Sequence, residues 1–531
     1  MLEIRPLAST PDAALAVAIN HAPYLKRLSE RTEARPFEAA LGSVTDLSAD
    51  TPIDEAMTVL RKAKAAVHLA LAADDLSGTR SVMEVTTALT AFAMASVQAA
   101  LRVALAGRGL SDRGLFIVAL GKMGAFELNY SSDIDIVAFY EPDGFDGGER
   151  SPGETAQRVL KDVVRLLDEV TADGYVFRTD LRLRPDPSST PLAVSTAMAE
   201  MYYESVGQNW ERMVWIKARA AAGDMQAAAR FIDRMGSYVW RRNLDYWAID
   251  DIQAIKRMIN TKIGAHGFEN PAPDIKLGPG GIREIEFFVQ TQQLIMGGRH
   301  PELRDNTTLG AMLALRDAGI VADSTATDLT RAYKSLRDVE HRIQMRHDEQ
   351  SHTVPADSAE REGVAALCGY GSLADFDRDL LETRRLVQAA YDALFARDEQ
   401  QDEPSGIGNL VFTGVDDDPE TVRTLLGLGF GDPSAAISTI RNWHRGNVPA
   451  TRTVRGRELL TAILPRMLEA MGATGEPDEA FRWFSRFFSG LSSGVQTLSM
   501  LLAKPALLDD LVATLALAPR LAEILSRRPD L

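Results

Sequence analysis

Two aspartates, Asp133 and Asp135, stand two residues apart where the otherwise apolar run IDIVAFY begins at 134–140. In a strand, side chains at alternate positions share a face, so both carboxylates would point the same way, about 6.6 Å apart at about 3.3 Å per residue. Like charges placed so closely repel each other unless a cation lies between them. An oxygen-only set of ligands suits magnesium or manganese. The plainer alternative is that Ser132 or Asp133 caps a turn while Asp135 is solvated.

The surrounding residues favour the first reading. Upstream, LGKMG at 120–124 is a glycine turn after a strand, where backbone N–H groups can approach a phosphate and Lys122 can add charge. Ser131 and Ser132 offer hydroxyls beside the aspartates. Downstream, FRTDLRLRPD carries Asp180 on another strand, with Arg178 and Arg182 on its face by alternation and Arg184 next along it. A neighbouring strand can thus bring a third carboxylate to the pair while arginines face the same anionic ligand, although arginine pairs on a sheet are often only solvated. Three acids on adjacent strands beside a Gly/Ser turn form the constellation of two-metal nucleotidyl transfer, in which paired cations stabilise the entering and leaving oxygens.

The elements that must position these residues are few. FIVAL at 116–120, IDIVAFY at 134–140 and YVFRTDLRLRP at 175–185 read as strands, with the helix ETAQRVLKDVVRLLDEVTA between the second and third. Residues 1–80 carry apolar residues at helical spacing. After about residue 195 strand signals end, and segments such as YYESVGQNWERMVWIKARAAAGD, DDIQAIKRMINTKI and IREIEFFVQTQQLIM show helical periodicity. The glycine-rich IKLGPGGI at 275–282 interrupts them as a loop. The fold class expected is α+β, mostly helical, with a small α/β core embedded in helices. Domain boundaries follow: a helical region over 1–80, the core over 81–250, a helical bundle over 251–398, a polar linker at 399–408 and a second helical region over 409–531.

Composition sets the outer bounds. With 531 residues, 45% hydrophobic and 25% charged, the chain is too long for one core and too apolar for disorder. Its net charge of -16 argues against nonspecific binding of nucleic acid or an anionic membrane, so an anionic ligand must meet a local basic pocket. The single cysteine, Cys368, excludes an intrachain disulfide, reads as an inert core residue and fits a reducing cytosol. The N-terminal MLEIRPLASTPDAALAV lacks a basic region followed by an apolar core, so no secretory signal is expected. The apolar segment at 86–107 contains Gln98 and Arg102 and suits a buried helix better than a membrane span.

GKMGAFELNYSSDIDI resembles the signature of the bacterial glutamine synthetase adenylyltransferase/adenylyl-removing enzymes, nucleotidyltransferases with a DNA polymerase β-like fold. YVFRTDLRLRPDPSSTPLAVS, DIKLGPGGIREIEFFVQTQQLIMGGRHPELR and LRDVEHRIQMRHDEQSHTVP agree, in order, from about 110 to 360. The resemblance implies that Asp133, Asp135 and Asp180 are catalytic, metal-binding carboxylates for Mg2+ or Mn2+. Gly121, Lys122, Ser131, Ser132 and Arg182 match phosphate-side positions, and Lys276 and Arg283 are expected on the substrate side. Ala119 and Ala125 depart from the family, standing where glycine is common.

Family members are about twice this length, with two catalytic halves joined by a helical linker. One SDxD signature is present here, in the position of the first half, and LAPRLAEILSRRPDL resembles the linker before the second. The implied activity is phosphorolytic removal of AMP from an adenylylated tyrosine of glutamine synthetase, giving ADP. The implied partners are that synthetase and a PII signal protein in its uridylylated form, with control by glutamine and 2-oxoglutarate. The rivals are ATP-dependent adenylyl transfer to the synthetase and a non-catalytic nucleotide-sensing or docking module. His341 and His347, six apart, fall on different helix faces, so a histidine metal site with His352 is not expected. Glu284 and Glu286, opening a helix after the glycine loop, are read either as part of a phosphate site or as partners of the helix dipole.

Overall fold

The computed structural model describes residues 1–240, 268, 272–396, 410, 412, 417–444, 446–491, 494–517 and 523. The expected helix DDIQAIKRMINTKI, the linker at 399–408 and, apart from Glu523, the tail LAEILSRRPDL lie outside the described residues. The chain divides into two compact units. The described part of the first holds 1–201, 210–240 and 272–396; that of the second holds 202–209 and residues from 410 onward.

The first unit contains a five-stranded mixed sheet: β1 (Leu115–Ala119), β2 (Ile134–Tyr140), β3 (Thr179–Asp180), β4 (Ala193–Ser195) and β5 (Arg219–Gly223). Its order is β3-β2-β1-β5, with β4 also pairing with β2. β1 runs antiparallel to β2 and β5, whereas β3 and β4 run parallel to β2. β2 is buried on both faces, which is why it reads as an apolar run rather than an alternation. On one face Ile134, Ile136 and Ile117 meet the Val82–Ala106 and Pro152–Asp168 helices through Phe92, Val97, Leu160 and Val163. On the other, the Phe139 ring packs at a tilt against Phe231, centroids 4.6 Å apart, and lies 6.2 Å from Trp215. Asp133 and Asp135 share the parity of Phe139 and so open this second face.

The Val82–Ala106 helix begins with a capping box formed by Ser81 and Glu84. It is long and apolar enough to cross a membrane, yet 72% of its apolar window is buried inside the protein. Gln98 accepts the Gly223 N–H at 3.0 Å, and Arg102 donates to the carbonyls of Thr45 and Leu47. Beyond the sheet, the Ile282–Met296, Thr308–Asp317, Asp323–His347 and Leu373–Ala396 helices build their own core around Leu336, Tyr333 and the buried Cys368. In the second unit the described elements are all helices, packed around Trp443, Phe484 and Phe488.

Two expectations need correcting. The strand expected over 175–185 is only Thr179–Asp180. Asp180 Oδ1 captures the Arg182 N–H at 2.8 Å, and Arg184 turns back to the carbonyls of Leu181 and Pro187, so the chain leaves the ladder. Strands also do not end at 195: Arg219–Gly223, within a segment read as helical from its periodicity, pairs with β1. Its small side chains lie where the Val82–Ala106 helix crosses closely, so tertiary context overrides propensity.

Candidate active site

The register of β2 against β3 places Asp135 directly beside Asp180 on parallel strands, so their side chains share a face. Asp133 immediately precedes β2 on that same face. The charges of Asp133 and Asp180 act on Asp135. Burial pushes the Asp135 carboxyl up to about 7, and Asp133 and Asp180 push the same way against Lys276 and Arg182. From an ordinary value near 3.8 that shift corresponds to about 4 kcal/mol resisting ionisation. Burial also raises Asp180, but hydrogen bonds from Arg182 outweigh it and hold its carboxyl below the usual range. Arg182 grips Asp180 at 2.6 Å with its own side chain 83% exposed.

Gly121 has a structural reason to be glycine. Its φ is +51°, and a Cβ there would lie 2.2 Å from Asp135 Oδ2. The single helical turn Gly121–Gly124 therefore brings bare backbone against the carboxylate. Asp133 Oδ1 accepts from Gln350 Nε2 at 2.6 Å. Among the described residues no three His, Cys, Asp or Glu side chains form a ready-made ligand set. Asp133 and Asp180 are instead neighbours of Asp135, each held by its own partner. The chemistry of the donor set fits a hard divalent cation: oxygens only, one of them costly to ionise where it stands.

The other expected residues fall into two groups. Lys276, half-buried after the Asp274 turn, and Arg182 are the cations acting most strongly on Asp135. Arg283 is exposed at the start of the Ile282–Met296 helix. Lys122, expected beside a phosphate, pairs with the buried Glu340 at 2.9 Å. Ser131 is buried and donates its hydroxyl to Asp348, and Ser132 is buried next to it. Arg178 bonds the Tyr175 hydroxyl at 2.7 Å and the Ser131 carbonyl, so it braces the loop. Glu284 accepts the Gly280 N–H at 3.0 Å, and Glu286 pairs with Lys217 at 3.1 Å. Neither is a dipole partner alone. The three histidines meet three separate carboxylates: His341 with Asp75, His347 with Glu360, His352 with Asp274.

Sequence reasoning missed Gln350, Asp348 and Glu340. All three lie in or just after the Asp323–His347 helix, more than 200 residues from their partners in the strand-and-turn segment. The charge density of VEHRIQMRHDEQ, too high for a simple amphipathic helix whose residues are mostly buried, was the available signal.

A mixed sheet carrying paired carboxylates at the ends of β2 and β3, beside a glycine turn, defines a nucleotidyltransferase fold of the polymerase β type. A family model described as glutamate-ammonia ligase adenylyltransferase matches residues 4–234, and one described as GlnD PII-uridylyltransferase matches 253–395. Relatives named bifunctional glutamine synthetase adenylyltransferase/adenylyl-removing enzyme are 49% identical in Caulobacter vibrioides, over 97% of this chain and 55% of theirs. In Rhizobium meliloti the figures are 46%, 90% and 50%, and in Agrobacterium fabrum 43%, 97% and 55%. The chain is similar to these enzymes along nearly its whole length, and it spans about half the length of the curated relatives it matches.

Proposed function

We propose that this chain removes AMP from an adenylylated tyrosine of glutamine synthetase by phosphorolysis. The observation that carries the reading is Asp135 in register with Asp180, with Asp133 on the same face and Gly121 against the carboxylate. Asp133, Asp135 and Asp180 would hold magnesium or manganese, which would neutralise charge developing on the phosphoryl oxygens. An oxygen of inorganic phosphate attacks the AMP phosphorus in line. The bond to the tyrosine oxygen breaks, giving ADP and a phenolate that takes its proton from water. A phenol with a pKa of about 10 leaves without strong acid catalysis, so charge placement matters most. Lys276 and Arg182, the cations that act on Asp135, would bind the incoming phosphate. Ser132 and Arg283 take supporting positions on the substrate side. Lys122, Ser131 and Arg178 act through the loops they brace.

Removal is favoured over ATP-dependent transfer by the resemblance of the single SDxD signature to the first of the family's two halves. A PII signal protein, in its uridylylated form, is the proposed regulator. Incubating the chain with adenylylated glutamine synthetase, phosphate and magnesium tests the reading. ADP release is expected, whereas incorporation of label from ATP into the unmodified synthetase would establish transfer instead. Asp133→Asn with full ADP release would move the site away from these carboxylates, and a parent chain that releases no ADP and incorporates no label would favour a docking module.

A further inference from the structure

Ser131 is held at all three of its backbone and side-chain polar groups. Its N–H donates to Gln344 Oε1 at 2.9 Å, its hydroxyl donates to Asp348, and its carbonyl accepts from Arg178. Gln344 lies in the last turn of the Asp323–His347 helix and Asp348 is the cap that ends it. One helix end thus grips the turn that leads into Asp133. Two residues past the cap, Gln350 Nε2 reaches the Asp133 carboxylate at 2.6 Å.

Asp348 has φ +57°, the left-handed region that aspartate and asparagine tolerate better than most residues. That conformation turns the chain off the helix toward Gln350. The Asp348 carboxylate is fixed from the other side by Lys64 Nζ at 3.5 Å, from the Ile53–Leu76 helix, and by the Tyr175 side chain. Lys64 also sits over the Tyr175 ring at 3.7 Å. The side chains of Lys64 and Asp348 are 6% and 15% exposed, so water competes little for the contact.

We propose that Asp348 is a positioning residue for Asp133: it sets the Ser131–Asp133 turn through the Ser131 hydroxyl and places Gln350 to orient the Asp133 carboxylate. Lys64 and Tyr175 hold it for that task, which ties the helices before the sheet to the metal-side carboxylates. The inference rests on the reading of Asp133 as a metal ligand. Partners that orient ligating carboxylates change metal affinity on the order of 10–100-fold when removed.

The test is a titration of the full chain with Mn2+ alone, followed by electron paramagnetic resonance. Gln350 is exposed, so Gln350→Ala should fold normally and bind Mn2+ about ten-fold more weakly. Asp348→Asn preserves the left-handed backbone but leaves Lys64 without its acid. If that variant folds poorly, Lys64→Met/Asp348→Asn removes the stranded ammonium, and its Mn2+ binding should stay weak although the fold is restored. Glu360→Gln, which disturbs Arg346 and His347 on the same helix, should bind Mn2+ as the parent chain does. Parental Mn2+ affinity in folded Gln350→Ala and in the folded double variant overturns the inference. A parent chain that binds no better than Asp135→Asn fails earlier: it overturns the metal reading and this inference with it.

Discussion

In one buried set of charges, Lys217 meets Glu127 at 3.2 Å and Glu286 at 3.1 Å, Lys122 meets Glu340, and Arg342 meets Asp75 at 2.8 Å. At the ends of β2 and β3 the pattern reverses: Asp135 is nearly buried among two other carboxylates, and burial and those neighbours raise it to about 7. The two regions lie in the same unit and draw on the same residue types. In the first, burial also resists the charge on Glu340, but Lys122 and Arg337 outweigh it and keep the carboxyl well below its usual range. Compensated charge fixes the positions of loops and helices, whereas on the proposed reading the carboxylates left in excess are where a cation and a phosphate would be met.

Several substitutions separate the two regions. Asp135→Asn should lower the rate of ADP formation on the order of 10⁴-fold, about 5 kcal/mol of lost transition-state stabilisation. Its unfolding free energy in urea should hold or rise, because a repulsive charge is gone. Glu340→Ala should do the reverse. Lys122 and Arg337 lose their acid in the interior, and urea unfolding should show a loss of about 3–5 kcal/mol. A large stability loss in Asp135→Asn with unchanged rate would erase the distinction.

Acid should expose the paired region first. Glu286 is held down to about 2, because Lys217 and Lys122 outweigh the opposing effect of burial. A carboxylate depressed in the folded state gives stability that is full above its unfolded value of about 4.3 and is lost as pH falls through the folded one. Calorimetric melts between about pH 4.5 and 2 should therefore show a progressive loss, roughly 3 kcal/mol for this group, that Glu286→Gln lacks. Among the substitutions that destabilise, the smallest loss belongs to Gly121→Ala, about 1–2 kcal/mol. Its added carbon would still push Asp135 aside, so ADP formation should fall more than stability does.

Much of this division was legible in the chain, but unevenly. β2 appears at the very residues where its apolar run suggested it; alternation singled out Asp133 and Asp135, and the expectation of a neighbouring strand singled out Asp180. Cys368 reads as a core residue and is fully buried. What could not be read was which charges are compensated. Lys122 looks like a phosphate-binding lysine until a glutamate 218 residues away is seen against it. Likewise β5 has no strand signal of its own, since RAAAG takes its conformation from β1 and the helices over it. Partners so far apart in sequence leave no local spacing to detect.

The proposed phosphorolysis at the Asp133, Asp135 and Asp180 carboxylates can be tested with isotopically labelled inorganic phosphate, given to the chain with adenylylated glutamine synthetase and magnesium. Label should enter the β-phosphate of ADP, and Asp135→Asn should abolish it. Release of unlabelled AMP, or undiminished labelled ADP from Asp135→Asn, would contradict the assignment.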